Sequence, residues 1–257
     1  EIPKTWDEFV AVCEKLKEAG ITPLGMHGKD PGRVGHNFQC CVVAWAPEGI
    51  ETIEKVVAGE AKIEEDAQLR TVFEKMGTLL SYANEDALAL SDTNCYENFV
   101  KGDYAMTITG SYAKGTIASI NPDLETGIFP LPNDTYEDTK CLSGIDAAVC
   151  VSAQASEEEK EVAYRFLSFL AETESAQTFH EFDGAPSCIN GVVSEDESIA
   201  PMLEIINAGQ THDWMASTID NNIITDLYNV VQGFWADKDV DNVLKNLDAS
   251  IAVTSAQ

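Results

Sequence analysis

Side chains able to attack a substrate, transfer a proton or hold a metal are present in this chain of 257 residues, but not in patterns that catalysis requires. His180-Glu181 is not followed by the second histidine of an H-E-x-x-H zinc site, and TGSYAKG is not the G-x-S-x-G elbow that would activate Ser111. No phosphate-cradling Walker loop or dinucleotide glycine fingerprint occurs. The acidic stretch Asn133 to Lys140 lacks calcium-loop spacing and a glycine at its sharp turn. No cofactor or metal is therefore expected. Asp146 stands out as an acid set inside an apolar run, between Ile145 and Ala147. Three readings stay open for it: a carboxylate bonded to backbone at a strand end or hinge, a ligand-binding acid, or a catalytic one. Paired carboxylates are a weak filter where 44 residues are acidic, since a glycosidase pair is defined in space and not by spacing.

The elements that must position these groups are mostly helices. Thr5-Trp6-Asp7-Glu8 is a capping box, followed by an apolar face of Phe9, Val12, Cys13 and Leu16. Gly20 ends that helix, and Ile21 to Met26 reads as a short buried strand. A glycine-rich polar loop, Gly28 to Asn37, leads to an apolar helix from Phe38 to Trp45, and loops of this kind commonly carry sites. Further helices are expected over 49–58, 66–82 and 95–101, the second with Leu69, Val72, Phe73, Met76, Leu79 and Leu80 at helical spacing. The stretch GDYAMTITGSY alternates as a half-buried strand, turns at Gly110, and offers Ser111 as cap of a helix opening near Tyr112. Strands are expected at 127–131 and, as the longest candidate, 141–153. Ser156 and Glu159 form a second capping box before a helix from Glu157 to Ala171 that should bury Val162, Ala163, Phe166, Leu167 and Leu170. Helices over 200–208, 220–235 and 239–252 complete the chain, the last with Asp239 as N-cap.

Composition narrows the function classes. A 44% apolar chain of this length buries a substantial core, and a net charge of −28 repels phosphate backbones and anionic lipids, so nucleic-acid binding is disfavoured. Seven cysteines without a C-x-x-C pair make neither a disulfide framework nor a zinc site. Cys13, Cys40 and Cys150 fall at apolar positions and read as buried thiols.

Five segments, in order, carry a resemblance: PKTWDEFVAVCEKLKEAGITPL, FVKGDYAMTITGSY, GIFPLP, GIDAAVCVSAQASEEEKEVAYRFLSFLAE and GAPSC. Together they resemble the extracellular solute-binding proteins of bacterial ABC transporters, in the carbohydrate-binding group that includes maltose-binding protein. The resemblance implies an α/β, periplasmic-binding-protein-like fold of two lobes closing over a ligand. It further implies that this chain is mainly the C-terminal lobe, helix-rich with a small mixed sheet. Residues 1–146 and 186–257 would form that lobe, and 147–185 would return to a largely missing N-terminal lobe. A lipoprotein signal, the only membrane attachment expected, would lie outside the chain.

The same resemblance nominates a ligand site. Relatives place G-S-W or G-P-W where this chain has Gly110-Ser111-Tyr112, so Tyr112 is expected on the cleft wall against the apolar face of a sugar ring. The alternative is a helix-start tyrosine packed on the lobe surface. Arg33 and His36 stand where relatives carry a cleft aromatic, and they suit polar or acidic sugar groups unless the loop is simply a surface loop. Asp146, Trp214 and Asp220 also match cleft positions, although Trp214 could equally pack internally, as Trp6, Trp45 and Trp235 are expected to.

The function implied is capture of a sugar or oligosaccharide outside the cell, or in the periplasm, and delivery to the permease of an ABC importer, without covalent chemistry. Three rivals remain at this level: a receptor for a peptide, polyamine or metal complex, an acid-pair glycoside-active enzyme, and an acidic scaffold for a cationic partner.

Overall fold

The computed structural model describes residues 2–145, 148–184 and 186–255. In chain order these form helix α1 (Trp6–Glu18), strand β1 (Thr22–Gly25), helices α2 (Pro31–Trp45), α3 (Gly49–Val57), α4 (Ala67–Ser81) and α5 (Asp92–Lys101), and strand β2 (Tyr104–Thr107). Helix α6 (Ala113–Ile120), strand β3 (Cys141–Leu142), helices α7 (Glu157–Leu170), α8 (Thr173–Asp183) and α9 (Ala200–Asn207), strand β4 (Thr211–His212), and helices α10 (Asn221–Asp237) and α11 (Val240–Thr254) follow. Short 3-10 turns join several of them.

Among the described residues, instead of one mixed sheet there are two separate parallel pairs, β1 with β2 and β3 with β4. Parallel strands need long crossovers, and the crossover between β1 and β2 carries four helices, α2 to α5. The main core lies between helices, with the Phe73 ring of α4 in contact with Phe38 of α2 at 5.4 Å and with Phe234 of α10 at 5.1 Å. Leu227, Leu244 and Leu247 close it from α10 and α11. Trp45 and Trp235 are core residues, and Trp6 packs edge-on against Trp45.

Caps explain where most helices begin. Asp66 and Asp239 accept first-turn amides of α4 and α11, and Ser156 and Glu159 bond reciprocally at the start of α7. At α1 the Thr5 hydroxyl accepts from the Glu8 amide, but Glu8 returns its bond to the Lys4 amide and not to Thr5.

Further expectations need correction. Helix α2 starts at Pro31, so Arg33 and His36 ride its first turns and not a loop. The start signal was an aspartate cap followed by proline: the Asp30 carboxylate accepts the Gly32 amide, and Pro31 sets φ without needing a partner for its nitrogen. Residues 127–131 are not a strand, because Pro130 and Pro132 remove two donors. That segment instead makes one backbone bond, from Ile128 to the Ser198 carbonyl, and lays Phe129 and Leu131 on the core. Among the described residues of 141–153 only Cys141–Leu142 is strand, pairing with Thr211–His212, and Cys150 is exposed. Ser111 does not cap α6: Tyr112 occupies the N-cap position in helical conformation, and backbone turn bonds to Gly110 and Ser111 start the helix. Finally, α7 buries none of its residues. Cys13 is fully buried and Cys40 partly so.

Candidate functional site

Four segments distant in sequence meet around a cavity of about 620 Å³. Helix α2 supplies Arg33, His36 and Gln39, three residues apart and therefore on one face, with Gly32 beside them. The turn after β2 supplies Tyr112. The stretch entering α10 supplies Trp214, Ala216 and Ser217, with Tyr228 from α10 itself and Ile145 at the rim.

Close backbone approach makes this possible. A side chain at Gly35 would collide with the Tyr228 ring, so glycine lets α2 and α10 touch at the cavity floor. There the Gln39 amide donates to the Tyr228 hydroxyl, while its carbonyl oxygen accepts the Met215 amide at 2.9 Å. One side chain thus ties α10 to the segment carrying Trp214. Burial pushes the Tyr228 phenol up to about 12. Gly110 has a comparable role: the Tyr112 ring folds back over it, into the space a side chain would fill.

Arg33, His36, Tyr112 and Trp214 form one continuous wall. The His36 ring lies 4.7 Å from Trp214 and stacks at 6.0 Å on Tyr112, and the Arg33 guanidinium sits 5.3 Å from the Tyr112 ring centre. Arg33 Nη1 donates to the Tyr112 hydroxyl at 2.9 Å and its Nη2 pairs with Asp92 at 3.1 Å. The Tyr112 oxygen also lies 3.4 Å from His36 Nδ1 and 3.5 Å from the Thr109 hydroxyl, which Tyr96 meets at 2.7 Å. Burial works against the Arg33 charge, but Tyr112 and Asp92 outweigh it and hold the guanidinium above its ordinary pKa. Behind the wall His27 is 2% exposed, lies edge-on to Tyr96, and has neither ring nitrogen bonded among the described residues. Its burial lowers its pKa to about 4, so it is neutral at ordinary pH.

Four of the six sequence-nominated residues therefore converge on one wall. Tyr112 is there, but its hydroxyl is already engaged by protein. Asp220 is elsewhere: it is the exposed N-cap of α10, its carboxylate accepting the Asn222 amide at 2.8 Å. Asp146 lies outside the described residues. Gln39, Ser217 and Tyr228 were missed. Starting α2 at Pro31 would have put Gln39 in register with His36, whereas Tyr228, flanked by core positions on α10, carries no local signal. Among the described residues no group of three or more His, Cys, Asp or Glu is placed to hold a metal, and no helix is long and apolar enough to cross a membrane.

Comparison with known proteins places this architecture. An ABC transporter extracellular-binding protein of Pyrococcus horikoshii is 29% identical over 184 residues, covering 71% of this chain and 39% of the relative. A multiple sugar-binding protein of Streptococcus mutans is 20% identical over 271 residues, covering 97% of this chain and 60% of the relative. Among solved structures, a chitin oligosaccharide binding protein superposes with a TM-score of 0.83 at 22% identity, over 100% of this chain and 66% of its own. This chain spans less than two thirds of each, and its fold is that of one lobe-like part of a two-lobe binding protein. The model of the bacterial extracellular solute-binding protein family matches residues 1–203, and the chain belongs to that family.

Proposed function

We propose that this chain is the larger part of the substrate-binding component of an ABC importer, which takes a sugar or oligosaccharide into the described cavity outside the cell and hands it to the membrane permease. The observation that carries the reading is the wall of Trp214, His36 and Tyr112 beside polar groups of Arg33 and Ser217. A pyranose ring has an apolar C–H face that packs on such rings while its edge hydroxyls reach the polar groups. Relatives named for binding multiple sugars and chitin oligosaccharide support it. Binding requires no covalent step, and the role proposed is that of a receptor and not an enzyme.

Residues 1–146 and 186–257 are proposed as one lobe and 147–185 as a segment belonging with the second. The exposed apolar residues of α7 and α8 support this division: Val162, Phe166, Phe169, Phe179 and Phe182 are between 53% and 85% exposed, a surface that a second lobe would cover. A ligand held between lobes stabilises the closed state, and closure is what a permease can recognise.

Thermal unfolding of the longest naturally expressed form against mono- and oligosaccharides, with spermidine and short peptides as controls, tests the reading. A bound solute at a hundredfold excess over Kd adds about 2.7 kcal/mol of stability. The expected result is a midpoint shift with a sugar that shrinks in Tyr112→Ala. A shift with controls alone would discard the sugar, and no shift with any solute would discard the receptor.

A further inference from the structure

Resting on that reading, we infer that the ligand carries a carboxylate: an oligosaccharide containing uronic acid and not a neutral one. Charge is unevenly placed in this molecule. The chain carries 44 acidic residues against 16 Lys and Arg, yet the described residues lining the cavity include Arg33 and His36 and no carboxylate. Neutral sugar hydroxyls are donors as well as acceptors, and a site built for them profits from carboxylate acceptors. Among the described residues, two of the lining acceptors already take a protein donor. The Gln39 oxygen is taken by the Met215 amide, and the Tyr112 oxygen by Arg33.

The nearby acids are turned to other tasks. Asp30 accepts the Gly32 amide, Asp213 accepts the Trp214 amide at 2.8 Å, and Asp92 pairs with Arg33 at 3.1 Å. Arg33 has five N–H donors in a planar fork, and its partners among the described residues take two of them. Its side chain is 35% exposed at the cavity and held in place by Tyr112 and Asp92, so a carboxylate meets a charged, pre-oriented fork. The remaining polar neighbours are hydroxyls: Ser217, which donates as readily as it accepts, and Tyr228, which accepts the Gln39 amide and keeps its O–H to donate.

Calorimetric titration of the longest naturally expressed form decides the matter, using oligomers of galacturonate, glucuronate, mannuronate and guluronate, the methyl esters of each, and neutral oligosaccharides. The acid should bind about tenfold or more tightly than its own ester, and added salt should weaken the acid alone. Arg33→Gln should abolish that preference, Arg33→Lys should retain part of it, and Asp92→Asn should strengthen acid binding by removing the competing carboxylate. Circular dichroism verifies that each variant is folded, and a folded Asp92→Asn that gains affinity cannot be explained by structural damage. Neutral sugars or esters binding as well as the acids would overturn the inference and leave the sugar-receptor reading intact. No binding by any sugar, acidic or neutral, would overturn both.

Discussion

Helices α4 and α11 of the core and the solvent-facing helix α7 read alike in sequence, with apolar residues at helical spacing behind a side-chain N-cap, yet they end in opposite environments. Phe73 of α4 is 0% exposed, between Phe38 and Phe234, whereas Phe166 of α7 is 55% exposed. Periodicity states which face of a helix needs a partner and is silent about whether the partner is present. The candidate site belongs to the first region, where α2 and α10 are held by burial on several sides.

The sharpest way to break this comparison is to truncate a ring in each region. Phe73→Ala should cost about 3–5 kcal/mol, the range for an aromatic removed from a packed core, and chemical denaturation should show it as a lowered midpoint at unchanged slope. A loss below about 1 kcal/mol would mean that the core between α2, α4 and α10 is not packed as described.

The next largest effect concerns His27, buried behind the site. Burial lowers its pKa to about 4 from an ordinary 6.5, so the unfolded chain binds a proton that the folded chain refuses. Stability contributed by the neutral imidazole is fully present above about pH 6.5 and is lost as pH falls toward about 4, on the order of 3 kcal/mol in total. Unfolding midpoints measured between these limits should fall with acid in the parent and fall less in His27→Leu. Equal acid sensitivity in both would show that other groups govern the decline.

Smaller changes test the site. Gln39→Leu leaves the Met215 amide without its acceptor and the Tyr228 hydroxyl without its donor, at a cost of about 1–3 kcal/mol. Tyr112→Phe removes the oxygen that Arg33 holds but keeps the ring, so stability should change by about 1 kcal/mol or less and the ring's contribution to ligand binding should persist. A Tyr112→Phe variant that loses ligand as completely as Tyr112→Ala would show that the hydroxyl, not the ring face, is the group that matters.

What was legible in sequence follows the range of the forces involved. Helices with local caps, such as α4 behind Asp66 and α11 behind Asp239, were readable because the cap and the apolar stripe lie within one segment. The start of α2 reads as a loop because three glycines stand at 28, 32 and 35, although Gly35 serves contact with Tyr228 and Asp30-Pro31 already opens a helix. Arg33, His36, Tyr112 and Trp214 were nominated by motif resemblance, but their meeting on one wall depends on the approach of α2 to α10. Gln39 pairs with Tyr228 across 189 positions, and no local pattern encodes such a contact. The segment 141–153 was overread as strand because β-propensity describes a surface fit for pairing, and the described structure pairs only its first two residues.

The smallest expected effect separates the two regions most cleanly. Phe166→Ser on α7 removes a large apolar side chain that is exposed in this chain, so the stability of these 257 residues alone should move by no more than about 0.5 kcal/mol. In a longer form whose additional chain covers α7, the same substitution should cost about 1.5–3 kcal/mol, the value of burying such a ring. The difference between the two measurements reports whether that face is an interface, independently of any ligand. A cost that is equally small in both forms would make α7–α8 a solvent-facing hairpin and remove the main structural support for assigning 147–185 to a second lobe.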